Sequence, residues 1–330
     1  MARPAQRDRR ARRVPRLHRP EDPHHNGHTA TLTLIGCSSA PGNLDPVLEN
    51  FTRHRVPVAD DVTLTAAVGG AGPAIVLLHG FPQTRLMWRH VAADLATTHT
   101  VICPDLRGYG DSDKPATGYS KREMAADVVA LAHALGHERF ALAGHDRGAL
   151  VAFRAALDHP ATITHLACLD VLPTLDMWDV LHGASAAVAW HLYLMAQPPG
   201  LPETLIAADP HAFFGHFLDA WVRDPEALRD VRDAYLTAAR HAIPSIVADY
   251  RASAGVDVDH DAADRAAGTR LAMPVTVIQQ DWGAALGYDA AALWRAWAPD
   301  LRHHTTTAGH FMAEEAPAET TRRIRELLAR

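Results

Sequence analysis

The sequence of 330 residues has no uninterrupted apolar run of eighteen or more residues, so a membrane-spanning helix is not expected. It also has few cysteines. The three are odd in number and form no CxxC pair, which excludes a disulfide framework and favours a reducing cytoplasm. The net charge of −6 argues against a nucleic-acid-binding protein. With 48% hydrophobic and 21% charged residues, the composition is that of an ordinary globular protein.

The 22 histidines do not form a metal-binding pattern. His24, His25 and His28 belong to an N-terminal segment of unusual composition. His303 and His304 have no carboxylate or cysteine at ligand spacing. We therefore expect no metal ion.

The N-terminal segment differs in charge from the rest of the chain. Residues 1–48 contain eight arginines and four acidic residues, a net charge of +4, whereas the remainder contains 24 basic and 34 acidic side chains, a net charge of −10. The arginine pairs at positions 9–10 and 12–13 lie among prolines and histidines, with too little apolar area to offset the entropy cost of ordering. We predict that residues 1–48 form a disordered tail without a role in the chemistry, or that the protein begins near Val47.

Three other interpretations of this tail stay open. A twin-arginine export signal, or a lipoprotein cleavage box at Leu34–Cys37, would need a longer apolar stretch than the threonine-rich Thr29–Gly36. A nucleic-acid-binding arm would be opposed by the acidic body.

Short apolar runs alternate with helix-like segments, which is typical of a parallel sheet covered on both faces. Strands are predicted at residues 74–78, 100–103, 140–143, 166–169 and 275–279. Helices are predicted near residues 86–96, 149–157 and 290–298, and from about residue 318. Ser120–Glu123 (SKRE) is a capping box that starts a further helix, which Gly136 ends.

The alternation breaks between residues 172 and 268, where aromatic residues are frequent and the patterning is helical. We interpret this segment as a helical cap inserted into an α/β domain. The predicted organisation is therefore a tail at residues 1–48, a core at residues 49–171 and 269–330, and a cap at residues 172–268.

The junction between the strand at 140–143 and the next helix reads GHDRG, at Gly144–Gly148. A Gly-x-nucleophile-x-Gly turn in this position is a nucleophile elbow, and its central residue here is Asp146. A carboxylate is ionised at neutral pH without a base and can attack a carbon bearing a leaving group, giving an alkyl ester. Water must then hydrolyse this ester, which requires a base.

His310 is the predicted base because it lies after the last predicted strand and before the final helix. An acid must hold its ring in the correct tautomer. Asp170, which ends the strand after the elbow strand, is favoured over Asp281, which ends the following one. The backbone N–H groups of Phe81 and Arg147 are suited to stabilise the oxyanion of ester hydrolysis.

Four segments carry a family resemblance: His79–Thr84 (HGFPQT), Asp105–Ser112 (DLRGYGDS), Gly144–Gly148 and Gly309–Phe311 (GHF). Together they resemble the haloacetate dehalogenases of the α/β-hydrolase fold, fluoroacetate dehalogenases especially. The resemblance runs from about residue 49 to the C-terminus. It includes three segments in or beside the cap, Leu169–Thr174, Ala196–Pro198 and Asp249–Arg251.

The resemblance implies an α/β-hydrolase fold, a mostly parallel sheet with an inserted helical cap, and the same three catalytic residues. It further implies that Arg147 binds the substrate carboxylate, that His191 and Tyr250 hold the leaving halide, and that Trp221 lines the pocket. No metal ion or organic cofactor is expected. The implied partner is a small-molecule substrate, with no nucleic acid or membrane, and the implied assembly is a homodimer.

Two positions depart from the family pattern. Leu150 stands where the fluoroacetate enzymes have a second carboxylate-binding arginine, and Leu192 stands where they have a tryptophan. Losing a charge-assisted contact weakens anchoring by about 1.5–3 kcal/mol. Losing an indole donor affects fluoride most, since fluoride departs only with strong hydrogen-bond help. We therefore predict that chloro- or bromo-substituted acids, or less acidic substrates, are handled better than fluoroacetate.

The main hypothesis is a hydrolytic dehalogenase acting on a small 2-haloacid through an aspartyl ester. The alternative is an epoxide hydrolase, which shares the aspartate elbow and the histidine base and uses two cap tyrosines to protonate the epoxide oxygen. Tyr250 could supply one of them, and Tyr193 is an open second. A third class, a catalytically silent binding protein of this fold, is opposed by the intact Asp146, His310 and Asp170.

Overall fold

A computed structural model describes residues 48–330. Residues 1–47 of the predicted tail, which include the arginine pairs, the lipoprotein-like box with Cys37 and the alternative start at Val47, lie outside the described residues. The last residue of that tail, Leu48, is described and is buried. None of the helices in the described range combines the length and apolar character of a membrane span.

One sheet forms the centre of the fold. Its eight strands are β1 (Thr52–Ala59), β2 (Val62–Gly69), β3 (Ala74–Leu78), β4 (Thr100–Pro104), β5 (Phe140–His145), β6 (Ile163–Leu169), β7 (Val275–Gln280) and β8 (Leu301–Thr306). Their order across the sheet is β1-β2-β4-β3-β5-β6-β7-β8. The pairs β1–β2 and β2–β4 are antiparallel, and all other neighbours are parallel. The predicted α/β fold with a mostly parallel sheet is confirmed.

The five predicted strands are β3 to β7, whereas β1, β2 and β8 have no counterpart in the prediction. The predicted strands are almost wholly buried and read as short apolar runs. The outer strands β1 and β8 are half-exposed, and β8 reads LRHHTT with no fully buried residue. An edge strand that carries charged and polar residues lacks the apolar signal on which the prediction depended.

Helices cover both faces of the sheet. Four precede or follow the central strands: α1 (Arg89–Leu95), entered through a 3-10 turn at Arg85–Trp88, α2 (Lys121–Ala134), α3 (Arg147–Asp158) and, at the C-terminus, α14 (Pro317–Leu328). The predicted capping box is present at the start of α2, where the Ser120 side chain and the Glu123 carboxylate each accept a backbone N–H. Short helices α11 (Trp282–Leu286), α12 (Ala290–Arg295) and α13 (Met312–Glu315) complete the core.

Between β6 and β7 the regular secondary structure is all helical. This segment contains α4 (Thr174–Val180), α5 (Trp190–Met195), α6 (Leu201–Ala208), α7 (Pro210–Ala220), α8 (Arg232–Arg240), α9 (Ile243–Ser253) and α10 (Val256–Ala267), with 3-10 turns at Gly183–Ala187 and Pro225–Leu228. Residues 170–274, all of them described, contain no strand. Most aromatic rings of this segment are buried or half-buried, and Trp190 is the most exposed at 39%.

The residues predicted to carry chemistry follow the carboxyl ends of parallel strands. Phe81 follows β3, Asp146 follows β5, Asp170 follows β6 and His310 follows β8. In open α/β sheets this edge is where ligands bind. The fold therefore brings together side chains that lie up to 229 residues apart in the sequence (Phe81 to His310).

Candidate active site

The turn at Asp146 is held in a strained conformation. Asp146 lies between β5 and α3 with φ 48° and ψ −117°, a region that non-glycine residues rarely occupy. The flanking glycines permit the turn: a Cβ atom on Gly144 would lie 2.4 Å from the carbonyl oxygen of Gly148, and one on Gly148 would lie 2.4 Å from that of His79. The carboxylate of Asp146 emerges from this crowded junction 16% exposed, facing a cavity.

His310 lies beside this carboxylate. Its Nδ1 is 2.7 Å from Oδ2 of Asp170, and its Nε2 is 4.0 Å from Oδ2 of Asp146. Nε2 is buried and has no hydrogen-bond partner among residues 48–330. The imidazole is therefore oriented through one nitrogen, and the other is available to take a proton from a water near Asp146.

Opposing effects set the pKa values of this pair. Burial disfavours the imidazolium, but the hydrogen bond and charge of Asp170, together with the charge of Asp146, outweigh it and raise the pKa of His310. Burial would raise the pKa of Asp170, but the hydrogen bonds from His310 and Gln280 outweigh it and lower that pKa. Asp170 therefore stays ionised and holds the ring in place.

The end of β7 fixes Asp170. Its Oδ1 accepts the backbone N–H of Gln280 at 2.9 Å, and its Oδ2 accepts Nε2 of Gln280 at 2.7 Å and Nε1 of Trp282 at 3.5 Å. Asp281, the alternative acid, instead accepts the backbone N–H of Ala284 and caps α11. The carboxylate within hydrogen-bond distance of the base is thus that of Asp170.

One of the two predicted backbone donors, the N–H of Phe81, is hydrogen-bonded to the Asp146 carboxylate. The N–H of Phe81 donates to Oδ1 at 2.9 Å. Arg147 is the first residue of α3, so its N–H has no intrahelical partner. Oδ2 accepts no hydrogen bond from the described residues, which leaves it as the oxygen free to attack a ligand.

The Arg147 side chain is already engaged. Its Nε and Nη2 donate to the two carboxylate oxygens of Asp249 at 3.0 and 2.8 Å, and Nη2 also donates to Oγ of Ser253 at 2.7 Å. Asp249 also pairs with Lys121. The guanidinium lies 4.1 Å from the ring centroid of Tyr250. Arg147, the residue predicted to bind the substrate carboxylate, lines the cavity. Only its Nη1 takes no part in the hydrogen bonds to Asp249 and Ser253.

His191, Tyr250 and Trp221 form an aromatic cluster above Asp146. The ring of His191 lies 5.7 Å from that of Tyr250 and 5.1 Å from that of Trp221, which in turn lies 4.9 Å from His310. The Tyr250 hydroxyl and Nδ1 of His191 are buried without a hydrogen-bond partner in the described chain. Burial lowers the pKa of His191 to about 3, and burial and the charge of Asp146 raise that of Tyr250 well above its ordinary value. Both groups are neutral at neutral pH, and the tyrosine keeps its proton.

One cavity joins all the predicted side-chain site residues, with a volume of about 760 Å³ including its open mouth. Leu150 and Leu192 line it, so both departures from the family pattern face the ligand space. Tyr193 does not line it, because its hydroxyl donates to the carbonyl oxygen of Leu181 at 2.7 Å. The pairing of Tyr250 with Tyr193 that was left open above is therefore absent from the described cavity, where the second lining tyrosine is Tyr288.

The sequence interpretation missed the contribution of the segment that begins at the end of β7. Gln279, Trp282 and Tyr288 line the cavity, and Gln280 holds Asp170. Only the position of this segment could have indicated its role, because it follows the carboxyl end of a strand, at the same edge of the sheet as the elbow. No motif marked it, because the predicted strand at 275–279 ended one residue short of the functional glutamine.

The loop that carries His310 is also tied down by residues without a predicted role. The Glu315 carboxylate accepts the backbone N–H groups of Gly309 and Phe311 at 3.2 and 3.1 Å. Nε2 of His145 lies 2.8 Å from the carbonyl oxygen of His310. These contacts fix the backbone on both sides of the base.

Comparisons with known proteins agree with this architecture. Residues 73–317 match the family described as alpha/beta hydrolase fold. A fluoroacetate dehalogenase from a Burkholderia species is 40% identical over 297 residues, which cover 86% of this chain and 95% of the relative. A soluble epoxide hydrolase from Corynebacterium sp. strain C12 is 37% identical over 166 residues, 50% of this chain and 58% of the relative.

Solved structures show the same fold. The structure of Cfl2 from Burkholderia cenocepacia aligns with a TM-score of 0.77 at 33% identity, covering 86% of this chain and 97% of that one. The epoxide hydrolase CorEH aligns with a TM-score of 0.76 at 29% identity, covering 84% and 99%. The relatives thus include both a dehalogenase and epoxide hydrolases.

Proposed function

The chain belongs to the α/β-hydrolase fold family, in its haloacetate-dehalogenase-type branch, and from that premise we propose that it is a hydrolytic dehalogenase of 2-haloacids. The observation that carries the proposal is the placement of the Asp146 carboxylate between two sets of groups. On one side stands the His310 base, 4.0 Å away, and on the other stand the unpartnered donors of the cap.

The first half of the reaction is a displacement. Oδ2 of Asp146 attacks the carbon that bears the halogen, the carbon–halogen bond breaks, and the halide leaves with the bonding electron pair. The Tyr250 hydroxyl and the His191 ring supply hydrogen bonds to the departing halide. The product is an alkyl ester of Asp146.

The second half is ester hydrolysis. His310 Nε2 takes a proton from water, whose oxygen attacks Cγ of Asp146, and the N–H groups of Phe81 and Arg147 stabilise the resulting oxyanion. The tetrahedral intermediate then collapses, and the alkoxide leaves and takes the proton from His310 to give the hydroxyacid. Asp146, released as the acid, loses its proton to solvent and is a carboxylate again. Ester formation removes the charge of Asp146, which is one cause of the raised pKa of His310. Once the ester has formed, the His310 imidazolium therefore loses its proton more readily. The ring is then neutral at the step in which it acts as the base.

Substrate anchoring depends on Arg147. Its Nη1 is the guanidinium nitrogen outside the pairing with Asp249 and Ser253, and we propose that it binds the substrate carboxylate. Leu150 adds no second cation, so the substrate carboxylate is anchored less strongly. Leu192 adds no indole donor, so fluoride receives fewer hydrogen bonds as it leaves. Chloro- and bromoacids are accordingly preferred to fluoroacids.

Epoxide hydrolysis is the second candidate, and a specific observation favours it. The charge of Arg147 is already balanced by buried Asp249, while two neutral polar groups, on His191 and Tyr250, stand without partners beside the nucleophile. Such a site suits an uncharged substrate whose ring oxygen accepts two hydrogen bonds as Asp146 opens the ring.

One assay separates the two candidates. Purified protein is given fluoro-, chloro- and bromoacetate and, separately, simple epoxides, and free halide and diol are measured. Halide release in the order bromo and chloro above fluoro, abolished in Asp146→Ala, is the expected result. Diol formation without halide release would contradict dehalogenation and support epoxide hydrolysis. Fluoroacetate turned over faster than chloroacetate would contradict the halide order.

A further inference from the structure

The cavity beside Asp146 has apolar walls that the proposed reaction does not use. Six of its apolar or aromatic lining residues come from two separate segments, one at the start of the cap and one after β7: Met177, Leu181, Val188, Trp282, Leu286 and Tyr288. In the proposed reaction, none of the six binds the substrate carboxylate or the halide, attacks the reacting carbon or takes a proton from water. Their presence requires a separate explanation.

We infer that these two segments form a subsite for an apolar group, and that the natural substrate carries an alkyl or aryl substituent next to the reacting carbon. This inference rests on the proposed function and narrows its substrate class from haloacetates to longer 2-haloalkanoates. Arg147 is the one Arg or Lys among the residues that line this cavity, and it is paired with Asp249.

Position is the first argument. The six residues line the same cavity as Asp146 and His310. A substituent that contacts them can therefore belong to a molecule whose reacting carbon lies beside Asp146.

The chemistry of the walls is the second argument. Water in this space would find few hydrogen-bond partners along Leu181, Val188 and Leu286, so it is readily displaced by an apolar group. Leu150 and Leu192, both nearly fully buried, extend the same apolar lining towards Asp146. A charged or strongly polar substituent would lose its hydration there without compensation.

The test is a chain-length series. The specificity constant kcat/KM for halide release is measured for chloroacetate and for the single enantiomers of 2-chloropropanoate, 2-chlorobutanoate and 2-chlorohexanoate, and a parallel series of 1,2-epoxyalkanes is assayed for diol. Each buried methylene is expected to raise kcat/KM about three- to fourfold in the favoured enantiomer.

A pair of variants ties this gain to the subsite. Leu286→Gln places a polar group of similar length in the lining and is expected to lower kcat/KM for 2-chlorohexanoate about tenfold while changing chloroacetate less than twofold. Leu205→Gln is the matched control, because Leu205 is 54% exposed on α6 and does not line the cavity. It should leave the whole series unchanged.

The outcomes distinguish this inference from the function on which it rests. Chloroacetate turnover with no gain along the series would overturn the subsite and leave dehalogenation standing. Diol formation that rises along the epoxide series, without halide release, would support the subsite and overturn dehalogenation. No product from either series would overturn both.

Discussion

The core side and the cap side of the cavity hold their polar atoms in different ways. On the core side, Asp170 accepts three side-chain hydrogen bonds besides a backbone one, and Oδ1 of Asp146 is fixed by the N–H of Phe81. On the cap side, the Tyr250 hydroxyl and Nδ1 of His191 are buried with no partner in the described residues. A buried polar group left unpaired costs about 1–3 kcal/mol.

This difference assigns the two sides of the cavity to different steps of the proposed reaction. The core groups are preorganised, so they lose little freedom when the reaction begins. The cap donors recover their desolvation cost only when a leaving group accepts their hydrogen bonds, which ties their contribution to the first step. Changes on the core side should therefore act on ester hydrolysis, and changes on the cap side on displacement.

The largest effect is expected for His310→Gln, on the core side. We expect steady-state turnover to fall about 10²–10⁴-fold, the usual contribution of a general base, while the first displacement proceeds. Quenched-flow halide measurements should show a burst of one halide per active site, and intact-protein mass spectrometry should detect the Asp146 ester. His304→Gln, on partly exposed β8, is the control and should turn over normally. Continuous halide release at the wild-type rate in His310→Gln would refute the assignment of the base.

Tyr250→Phe should show the opposite pattern. Removing a hydrogen bond to a departing anion costs about 1.5–3 kcal/mol, so single-turnover halide release should slow about 10- to 100-fold. Hydrolysis of the ester, once formed, should keep its rate, because the hydroxyl does not contact His310 or Asp170. Tyr193→Phe is a matched control, since the Tyr193 hydroxyl is bound to the carbonyl oxygen of Leu181 outside the cavity. Equal slowing of both steps in Tyr250→Phe would show that the two sides are not separable.

Leu150→Arg tests which charge the cavity accepts. A second cation beside Arg147 is expected to raise kcat/KM for chloroacetate about tenfold, through one added charge-assisted hydrogen bond. It should lower activity towards uncharged epoxides. Leu150→Met conserves the volume without the charge and should change neither substrate more than about twofold. A gain for epoxides, or none for chloroacetate, would mean that the substrate carboxylate does not lie near this position.

The same contrast explains how much the sequence could predict. The central strands, the elbow and the order of Asp146, Asp170 and His310 along the chain follow from local patterns, because buried parallel strands are short apolar runs and the elbow is a contiguous motif. The edge strands β1 and β8 were missed because exposed residues lie among their partly buried ones, and because many of their side chains are polar or charged.

Contacts between distant segments were beyond local patterns. The pairing of Arg147 with Asp249 joins α3 to α9 across 102 residues, and no spacing rule links them. The sequence therefore suggested a cation available to substrate, whereas the structure has one largely occupied by a buried carboxylate. In the same way, Gln280 has no signature of its own and acquires a role only because β7 lies beside β6 in the sheet.

The smallest expected effect concerns this glutamine. Gln280→Leu removes the 2.7 Å hydrogen bond from Nε2 to Asp170 but leaves the backbone N–H of residue 280 in place. The Asp170 carboxylate, less well stabilised, should attract the imidazolium proton more strongly and raise the pKa of His310 further above its ordinary value. Since His310 must be neutral to act as a base, activity is lost as the pH falls through this pKa. The acidic limb of the pH profile should therefore move to higher pH, by about half a unit, or about 0.7 kcal/mol.

The matched variant is Gln279→Leu, because Gln279 also lines the cavity but its side chain lies 3.4 Å from His303 rather than against Asp170. It is expected to change KM while leaving the acidic limb where it is. The two pH profiles of kcat/KM, measured in parallel, separate a role through the base from a role in shaping the cavity. An acidic limb that moves to lower pH in Gln280→Leu, or moves equally in both variants, would show that Gln280 does not act through Asp170.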